Sequence, residues 1–204
     1  MEKQQKNGFT LIELMIALLV AGILLGVGIP SFSGAISNSR MSGTYNDVAQ
    51  ALYIARSEAV KGSERITVCP RVDGDVHECG DDWSTGILVF VDNDPVLSAD
   101  PAMLGPEDIV VHSQRKYKKG STITAHQSTN RSQSSVDPIG WIRYDSTGKT
   151  SWGNGFFKLC DDKRGAESSK ALNIVATGNL RRGRPVDTSS NTPADVYGRA
   201  ILCP

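Results

Sequence analysis

Apolar residues dominate the first part of the chain and predict a helix long enough to cross a membrane. Residues 9–29 contain one charged residue, Glu13. At about 1.5 Å per residue they form a helix of roughly 31 Å, which matches the hydrocarbon core of a bilayer. Pro30 follows, and a proline inside a helix removes one hydrogen bond and kinks it. We therefore expect a kink or local melting there.

The pattern then changes to a single apolar face, which predicts that the helix continues. Beyond Pro30, apolar side chains recur at steps of three and four residues, the spacing of one helix face. Gly62 is in a position to cap the helix. We expect one helix over residues 10–62, and we expect its second half to pack against a partner. The apolar positions of that half are Met41, Tyr45, Val48, Leu52, Ala55 and Ala59.

Short runs of β-type residues, separated by turn-forming residues, occupy the chain from residue 65 onward. They predict an α+β fold, in which the long N-terminal helix packs on an antiparallel β-sheet. The polar segments 127–137 and 185–196 are predicted to be loops. The predicted strands are Arg65–Cys69, Gly86–Val91, Ile109–Ser113, Thr122–His126, Trp141–Tyr144, Phe156–Cys160, Ala171–Ala176 and Tyr197–Cys203.

The charge of Glu13 separates three interpretations of the apolar N-terminus. A carboxylate inside a bilayer costs on the order of 3 kcal/mol when it is unpaired, so a plain membrane anchor does not account for it. A cleaved secretory signal would share the basic start at Lys3 and Lys6, but Glu13 interrupts its apolar core and no clean A-x-A-like cleavage site follows. A helix that leaves the lipid and pairs with another chain accounts for the charge, because a paired charge can be buried.

The residues around Glu13 resemble the processing signal of type IV pilins and type II secretion pseudopilins. A short basic leader ends in Gly8, Phe9 follows, Glu13 is the fifth residue counted from Phe9, and Pro30 is the twenty-second. The resemblance implies that a prepilin peptidase cleaves between Gly8 and Phe9 and methylates the new amino group of Phe9. It also implies that the helix waits in the inner membrane before joining a filament of other pilins. There Glu13 would neutralise the Phe9 amine of a neighbouring subunit.

Four segments of the remaining chain narrow this resemblance: Leu52–Val60, Thr67–Pro70, Trp83–Gly86 and Val89–Asp92. They resemble the family of pseudopilin H and the minor pilins FimT and FimU, over most of the chain. The resemblance implies a structural subunit at the tip of a short filament, with no catalytic residues and no cofactor. The filament would belong either to a type IV pilus or to a type II secretion system.

The distribution of charge near the N-terminus predicts the orientation. Lys3 and Lys6 precede the apolar run, so the positive-inside rule puts residues 1–8 in the cytoplasm and the chain after Pro30 outside. In a Gram-negative cell the outside is the periplasm. We expect a leader at 1–8, a transmembrane and filament-core helix at 9–30, and a periplasmic pilin-like domain at 31–204 that includes the amphipathic helix 31–62.

Four cysteines form an even set without a C-x-x-C pair, which is consistent with disulfides in an oxidising compartment. Four cysteines permit three connectivities. Proximity in the sequence favours Cys69–Cys79, which leaves Cys160–Cys203 to tie the C-terminal tail to the sheet. The spacings do not fit the usual zinc sites, so we expect no metal.

Balanced charge gives no reason to expect affinity for nucleic acid over the whole chain. The sequence has 22 basic and 22 acidic residues, and removal of residues 1–8 leaves 20 basic and 21 acidic residues. Two clusters depart from this balance, and runs of charge usually form solvated surfaces. The clusters are Arg115, Lys116, Lys118 and Lys119 around Tyr117, and Arg181, Arg182 and Arg184 near the C-terminus.

The second cluster supports an alternative function, because arginine binds phosphate oxygens in a two-pronged manner. Some minor pilins of the FimT type bind DNA through a Gly-Arg-x-Arg stretch near the C-terminus. Here Gly183 and Arg184 match the first two residues, but Val186 replaces the second arginine. Arg181 and Arg182 lie just upstream. DNA binding by Arg181, Arg182 and Arg184, with Lys116, Lys118 and Lys119, is therefore the alternative to a purely structural role.

Motifs for catalysis and metal binding are incomplete. Gly148-Lys149-Thr150 resembles the end of a phosphate-binding loop, but Arg143 stands where the first glycine of that loop belongs, so we predict a hairpin turn. Ser113 and Lys116 have S-x-x-K spacing without the partner motifs of that enzyme class. The oxygen-bearing residues Asp92–Asp94 lack the alternating spacing of a calcium loop, and we predict a solvated turn.

Overall fold

The computed structural model describes residues 8–75, 77–93, 104–105, 107–115, 117, 120–128, 137–151, 153–188 and 192–203. Its first element is helix α1, Leu11–Gly62, with 52 residues. This confirms the helix predicted over residues 10–62. The backbone is helical through Pro30, so the local melting predicted there is wrong, while a kink stays a prediction.

The end of α1 differs by one residue from the predicted cap. Gly62 is the last helical residue, and Ser63 takes the left-handed conformation with φ 54°. Glycine is the usual residue at that position because it has no Cβ to clash. The predicted cap is wrong by one position because the left-handed residue is a serine, which follows the glycine directly.

Nine strands follow α1 in the described residues, and every pairing between them is antiparallel. They form a four-stranded sheet in the order β3-β2-β1-β6 and a five-stranded sheet in the order β5-β4-β7-β8-β9. The predicted α+β class is therefore confirmed, with two sheets in place of one. The strands are β1 Ile66–Pro70, β2 Ile87–Val91, β3 Ile109–Gln114, β4 Ser121–Gln127, β5 Asp137–Pro138, β6 Ile142–Tyr144, β7 Gly155–Asp161, β8 Gly165–Ile174 and β9 Leu180–Arg182.

Seven predicted strands correspond to β1–β4 and β6–β8, and the eighth, Tyr197–Cys203, is wrong. The Asp195 carboxylate accepts the backbone N–H groups of Tyr197 (2.9 Å) and Arg199 (2.9 Å), so the chain turns where a strand was expected. Aspartate commonly competes with secondary structure in this way. The short strands β5 and β9 lie in polar segments and were not predicted. Most of the loop predicted over residues 127–137 lies outside the described residues.

One hydrophobic core joins the second half of α1 to both sheets. Every apolar position predicted on the helix face is buried except Tyr45, which is half-buried. Because strand side chains alternate between faces, each sheet contributes every second residue to this core. The four-stranded sheet contributes Ile66, Val68, Ile87, Val89, Val91, Ile142 and Tyr144, and the five-stranded sheet contributes Ile123, Ala125, Phe157, Leu159, Leu172 and Ile174.

The face of the five-stranded sheet that points away from the helix is covered by the C-terminal segment 192–203. Ile201 packs on Phe156 and Ala171. The side-chain amide of Asn173 donates to the carbonyl of Ala194 at 3.0 Å. We call residues 192–203 the C-terminal strap.

Arg56 links α1 to one hairpin turn from each sheet. Its guanidinium donates to the carbonyl of Gly148 (3.1 Å) after β6, and to the carbonyl of Thr177 (3.1 Å) and the Oδ1 of Asn179 (2.7 Å) between β8 and β9. This one side chain therefore holds the two sheets and the helix in a fixed arrangement.

The two turns also touch each other directly. The backbone N–H of Thr150 donates to the carbonyl of Ala176 at 3.2 Å. Gly178 has φ 76°, and a Cβ at this position would overlap the carbonyl oxygen of Gly148. Only glycine fits at position 178 while the turns keep this separation.

The middle of α1 has a sequence that disfavours helix. Ten of the fifteen residues from 33 to 47 are Gly, Ser, Thr, Asn or Asp, whereas only Ser57 among residues 48–59 is of these types. Each such residue costs ~0.5–1 kcal/mol relative to alanine in a helix. The chain forms two compact units, residues 1–39 and 40–204, and their boundary falls within this stretch. Helix over residues 33–47 therefore needs support from tertiary contacts.

Candidate functional site

The predicted processing site lies in an exposed segment just before α1. Gly8 and Phe9 precede the helix, and Phe9 is 90% exposed. A Cβ added to Gly8 would meet nothing within 4 Å, so the fold does not require glycine at this position. The junction between Gly8 and Phe9 is thus accessible. Most of the leader predicted at residues 1–8 lies outside the described residues.

Glu13 occupies a helix-capping position in its own chain. Its carboxylate accepts the backbone N–H of Thr10 (3.1 Å) and the hydroxyl of Thr10 (3.0 Å), and the N–H of Glu13 donates to the Thr10 hydroxyl oxygen (3.3 Å). This reciprocal arrangement is a capping box, which satisfies free N–H groups at the start of a helix. The carboxylate is exposed and makes no ion pair among the described residues.

The large apolar side chains of α1 from Leu11 to Leu25 are exposed. Their exposed fractions run from 47% at Val20 to 77% at Leu11. Such a continuous apolar surface is expected to be covered by lipid or by another protein. Among the described residues, no helix combines the length and apolar character needed to cross a membrane. The span expected over residues 9–30 stays a prediction.

The arginine cluster near the C-terminus is solvent-exposed but divided between two faces. Arg181 pairs across from Asn173 and Arg182 across from Leu172, and cross-strand partners share a face. Arg182 therefore lies on the helix side of the sheet. The pKa of Lys170 is lowered, first by partial burial of the Lys170 side chain and second by the positive charge of Arg182. Arg184 follows β9 and is exposed. Lys116, Lys118 and Lys119 lie outside the described residues.

Both disulfides have the pairing that proximity in the sequence favours. Cys69 and Cys79 are joined with Cα atoms 5.6 Å apart, and Cys160 and Cys203 with Cα atoms 5.7 Å apart. The second bond attaches the end of the C-terminal strap to β7. The described residues contain no free cysteine.

Asp92 was predicted to lie in a solvated turn, and this is wrong. Its side chain is buried, forms an ion pair with Arg143, and accepts the hydroxyl hydrogen of Thr67 at 3.0 Å. Arg143 also donates to the Thr67 hydroxyl at 3.2 Å and stacks on Trp141 at 5.1 Å. Burial of the pair holds the carboxylate away from water, so it is not free to bind a cation. The described residues contain no group of three candidate metal ligands.

A second ion pair, also not predicted, attaches the start of the packed second half of α1 to the five-stranded sheet. Arg40 donates to Asp161 Oδ2 at 2.6 Å and to the carbonyl of Gly120 at 3.1 Å. The Asp161 side chain is fully buried, and its other oxygen accepts the N–H groups of Lys163 and Arg164. The signal in the sequence was weak, since nothing local links residue 40 to residue 161.

The hairpin predicted at Gly148-Lys149-Thr150 is present. The N–H of Gly148 donates to the carbonyl of Asp145 at 2.8 Å, and Asp145 N–H donates to the carbonyl of Lys149 at 3.0 Å. Gly148 has φ 75°. The resemblance to a phosphate-binding loop therefore has no structural counterpart.

Parts of the chain, including the N-terminus, are similar to known proteins. Residues 3–29 match the family model of the prokaryotic N-terminal methylation motif. Fimbrial protein EcpC of Eikenella corrodens is 44% identical over 46 residues, which are 22% of this chain and 30% of that protein. The chain thus matches about a third of the length of this curated relative.

Two solved structures are similar at low identity. The type IV minor pilin FimU of Pseudomonas aeruginosa is 15% identical, with 74% of this chain and 87% of that chain covered and a TM-score of 0.46. The minor pseudopilin EpsH from the type 2 secretion system of Vibrio cholerae is 13% identical, with 70% and 95% covered and a TM-score of 0.45.

The methylation motif at the start of a long helix, followed by two antiparallel sheets, defines a pilin-like structural subunit and not an enzyme. Residues 44–178, more than half of the chain, match the model of type II transport protein GspH. The chain belongs to the GspH family.

Proposed function

We propose that this chain is a minor pilin or minor pseudopilin that is cleaved after Gly8, N-methylated at Phe9 and assembled at the tip of a filament. The observation that carries the proposal is the accessible Gly8–Phe9 junction directly before a helix whose apolar side chains are exposed. A soluble subunit has no use for such a helix unless lipid or other subunits cover it. Either a type IV pilus or a type II secretion filament accommodates this role.

The inner membrane is the proposed location before assembly. Residues 9–29 carry one charge, and Lys3 and Lys6 precede them, which favours a cytoplasmic N-terminus and a periplasmic globular domain. Glu13 is the proposed assembly residue, since its carboxylate is exposed and can pair with the Phe9 amine of a neighbouring subunit. Removing that pair from water is tolerable because both charges are neutralised.

Cleavage by prepilin peptidase tests the proposal directly. Gly8→Leu places a bulky side chain at the cut, and we expect an unprocessed chain that keeps its first eight residues. Mass spectrometry of the membrane-extracted protein reports the N-terminus. Gly22→Ala is the matched control, because a Cβ there meets nothing within 4 Å and processing should be unchanged. A mature parent chain starting anywhere other than Phe9 would reject the proposal.

DNA binding through Arg181, Arg182 and Arg184 is the second proposal. It is supported by their exposure and by the lack of any hydrogen bond or ion pair from these guanidinium groups within the described residues. The division of Arg181 and Arg182 between two faces of the sheet limits how many can reach one phosphate backbone. We therefore place this function second.

A further inference from the structure

Two arginines hold the packed second half of α1 to the sheets. Arg56 holds residues 48–59, the upper turns, through the two hairpin turns. Arg40, the first residue of the second compact unit, holds residues 40–47, the lower turns, through Asp161 and Gly120. The two arginines are sixteen residues apart, or about 24 Å along a helix. Between them, Met41, Val48 and Leu52 are among the helix residues that lie in the core.

The two halves of this span differ in their intrinsic preference for helix. Residues 48–59 are mostly good helix formers, including four alanines and Leu52. Residues 40–47 include Ser42, Gly43, Thr44 and Asn46, all poor helix formers. Gly43 has open space around it, so no packing requirement explains the absence of a side chain there. The lower turns therefore depend on their tertiary contacts far more than the upper turns do.

Among residues 40–47, Met41 and Thr44 are buried and Tyr45 packs on the core, and the charged contact is the one made by Arg40. Gly120 has φ 97°, and a Cβ there would come within 2.9 Å of Arg40 Nη1, so the guanidinium lies directly against the backbone. Met41 is fully buried and accepts a contact from the Ser121 hydroxyl at 3.4 Å. The buried Asp161 carboxylate has two backbone N–H partners of its own, so it remains partly satisfied when Arg40 leaves.

We propose that the Arg40–Asp161 ion pair is a releasable latch. When it opens, residues 40–48 separate from the five-stranded sheet or lose helix, while residues 52–62 stay docked through Arg56 and the core. Opening of the latch shortens the part of the helix that packs on the sheets, while the sheets stay folded. Its use to the protein rests on the proposed assembly role, in which neighbouring subunits compete for the helix surface.

Hydrogen exchange of the full-length chain in detergent micelles, followed by mass spectrometry, tests the latch. In Arg40→Gln we expect exchange of amides 41–48 to be at least ~10-fold faster, with residues 52–59 changed less than about twofold, because a lost buried ion pair acts on the local opening. In Gly43→Ala we expect those same amides to exchange about fivefold more slowly, since alanine favours helix.

Arg56→Gln is the matched control, and it should accelerate exchange in residues 52–62 and in the turns 145–149 and 175–179 more than in residues 41–48. Arg40→Lys keeps the charge and should fall between the parent and Arg40→Gln. Equal acceleration throughout the domain in Arg40→Gln, or no acceleration at 41–48, overturns the latch. Exchange does not require a filament, so a chain that opens as described but is never processed counts against the proposed function alone.

Discussion

At the scale of single residues, Glu13 has two roles that a simple deletion would mix. In its own chain it is part of the capping box with Thr10. In a filament it is proposed to carry the charge that pairs with a neighbouring Phe9 amine. Alanine at position 13 removes both, so a loss of assembly in that variant cannot be assigned to the charge.

Glutamine separates the two roles, because a capping box accepts glutamine as well as glutamate. We expect Glu13→Gln to reduce incorporation into filaments about as strongly as Glu13→Ala, whereas Thr10→Ala, which weakens the cap by ~1 kcal/mol and keeps the charge, should reduce it only slightly. The measurement is the fraction of the chain recovered in sheared filaments. Parent-like recovery of Glu13→Gln would show that the charge has no part in assembly.

Ser63 offers a second prediction at this scale. A non-glycine residue in the left-handed conformation is strained, and glycine relieves the strain at some cost in chain entropy. We expect Ser63→Gly to stabilise the globular domain by roughly 0.5 kcal/mol, which raises Tm by about 1–2 °C. Ser63→Ala, which cannot relieve the strain, should not be stabilised. A lower Tm for the glycine variant would mean that the Ser63 side chain contributes more than its strain costs.

At the scale of elements, the C-terminal strap depends on its disulfide. The disulfide between Cys160 and Cys203 lowers the entropy of the unfolded chain and so stabilises the folded domain by about 4 kcal/mol. The shorter loop between Cys69 and Cys79 gives about 3 kcal/mol. Inside the folded domain Ile201 packs on the sheet, and hydrogen bonds also attach the strap. Lys158 donates to the carbonyl of Leu202 at 3.3 Å, and Asn154 donates to the Tyr197 hydroxyl at 3.0 Å; Asn173 and Arg199 make others. The strap should loosen locally when the disulfide is lost.

Cys203→Ser in a Cys160→Ser background, which leaves no unpaired thiol, should expose residues 185–200 to protease while the rest of the domain stays resistant. Limited proteolysis with mass mapping of the fragments reports this. The matched control is Cys69→Ser with Cys79→Ser, where new cleavage should be confined to residues 70–80. If the first pair of changes leaves the strap as resistant as in the parent, packing alone holds it.

Elements with a strong local pattern could be predicted from the sequence, and elements defined by a distant partner could not. The apolar stripe of α1, with its 3.6-residue period, indicates which side of the helix is buried. The apolar runs of β1, β2 and β7 indicate buried strands in the same way. By contrast, β8 begins at Gly165, six residues before the predicted start, because its polar first residues are held by backbone pairing with β7. The failed strand at Tyr197–Cys203 shows the converse, since the Asp195 side chain makes a turn that an Asp-x-x-Gly pattern could have indicated.

At the scale of the whole molecule, charge balance limits the DNA proposal. From Phe9 onward the chain has 20 basic and 21 acidic residues, so any affinity for DNA must come from a local cluster. Three phosphate contacts predict a log–log salt slope of roughly −2.7, and each lost contact flattens it by about 0.9. Because Arg181 and Arg182 lie on opposite faces, we expect weak binding with a slope flatter than −2.7, or none.

Titration of the full-length chain in detergent with duplex DNA of two unrelated sequences, from about 50 mM salt upward, measures this. The triple variant Arg181→Ala, Arg182→Ala, Arg184→Ala should lose whatever binding the parent has. A control variant, Arg115→Ala, tests the other basic cluster. Absence of binding by the parent at the lowest salt would leave the assembly role without an alternative.

In the candidate site, too, residues close together in the sequence could be predicted, and contacts between distant residues could not. Gly8, Phe9 and Glu13 are close together in the sequence, so their spacing alone is informative. The contacts that fix the helix on the sheets join residues far apart, 121 positions for Arg40 and Asp161 and 92 for Arg56 and Gly148. No periodicity records such pairs, because each arginine is a single polar residue on an otherwise ordinary helix.

The contact between the turns at Gly148 and Gly178 also provides a way to sort relatives by sequence. A side chain at position 178 would overlap the carbonyl oxygen of Gly148, so the two hairpins can approach this closely only with glycine there. A family member with any other residue at the equivalent position must hold its two sheets further apart. That single position would therefore divide the family into proteins that share this arrangement of sheets and proteins that do not.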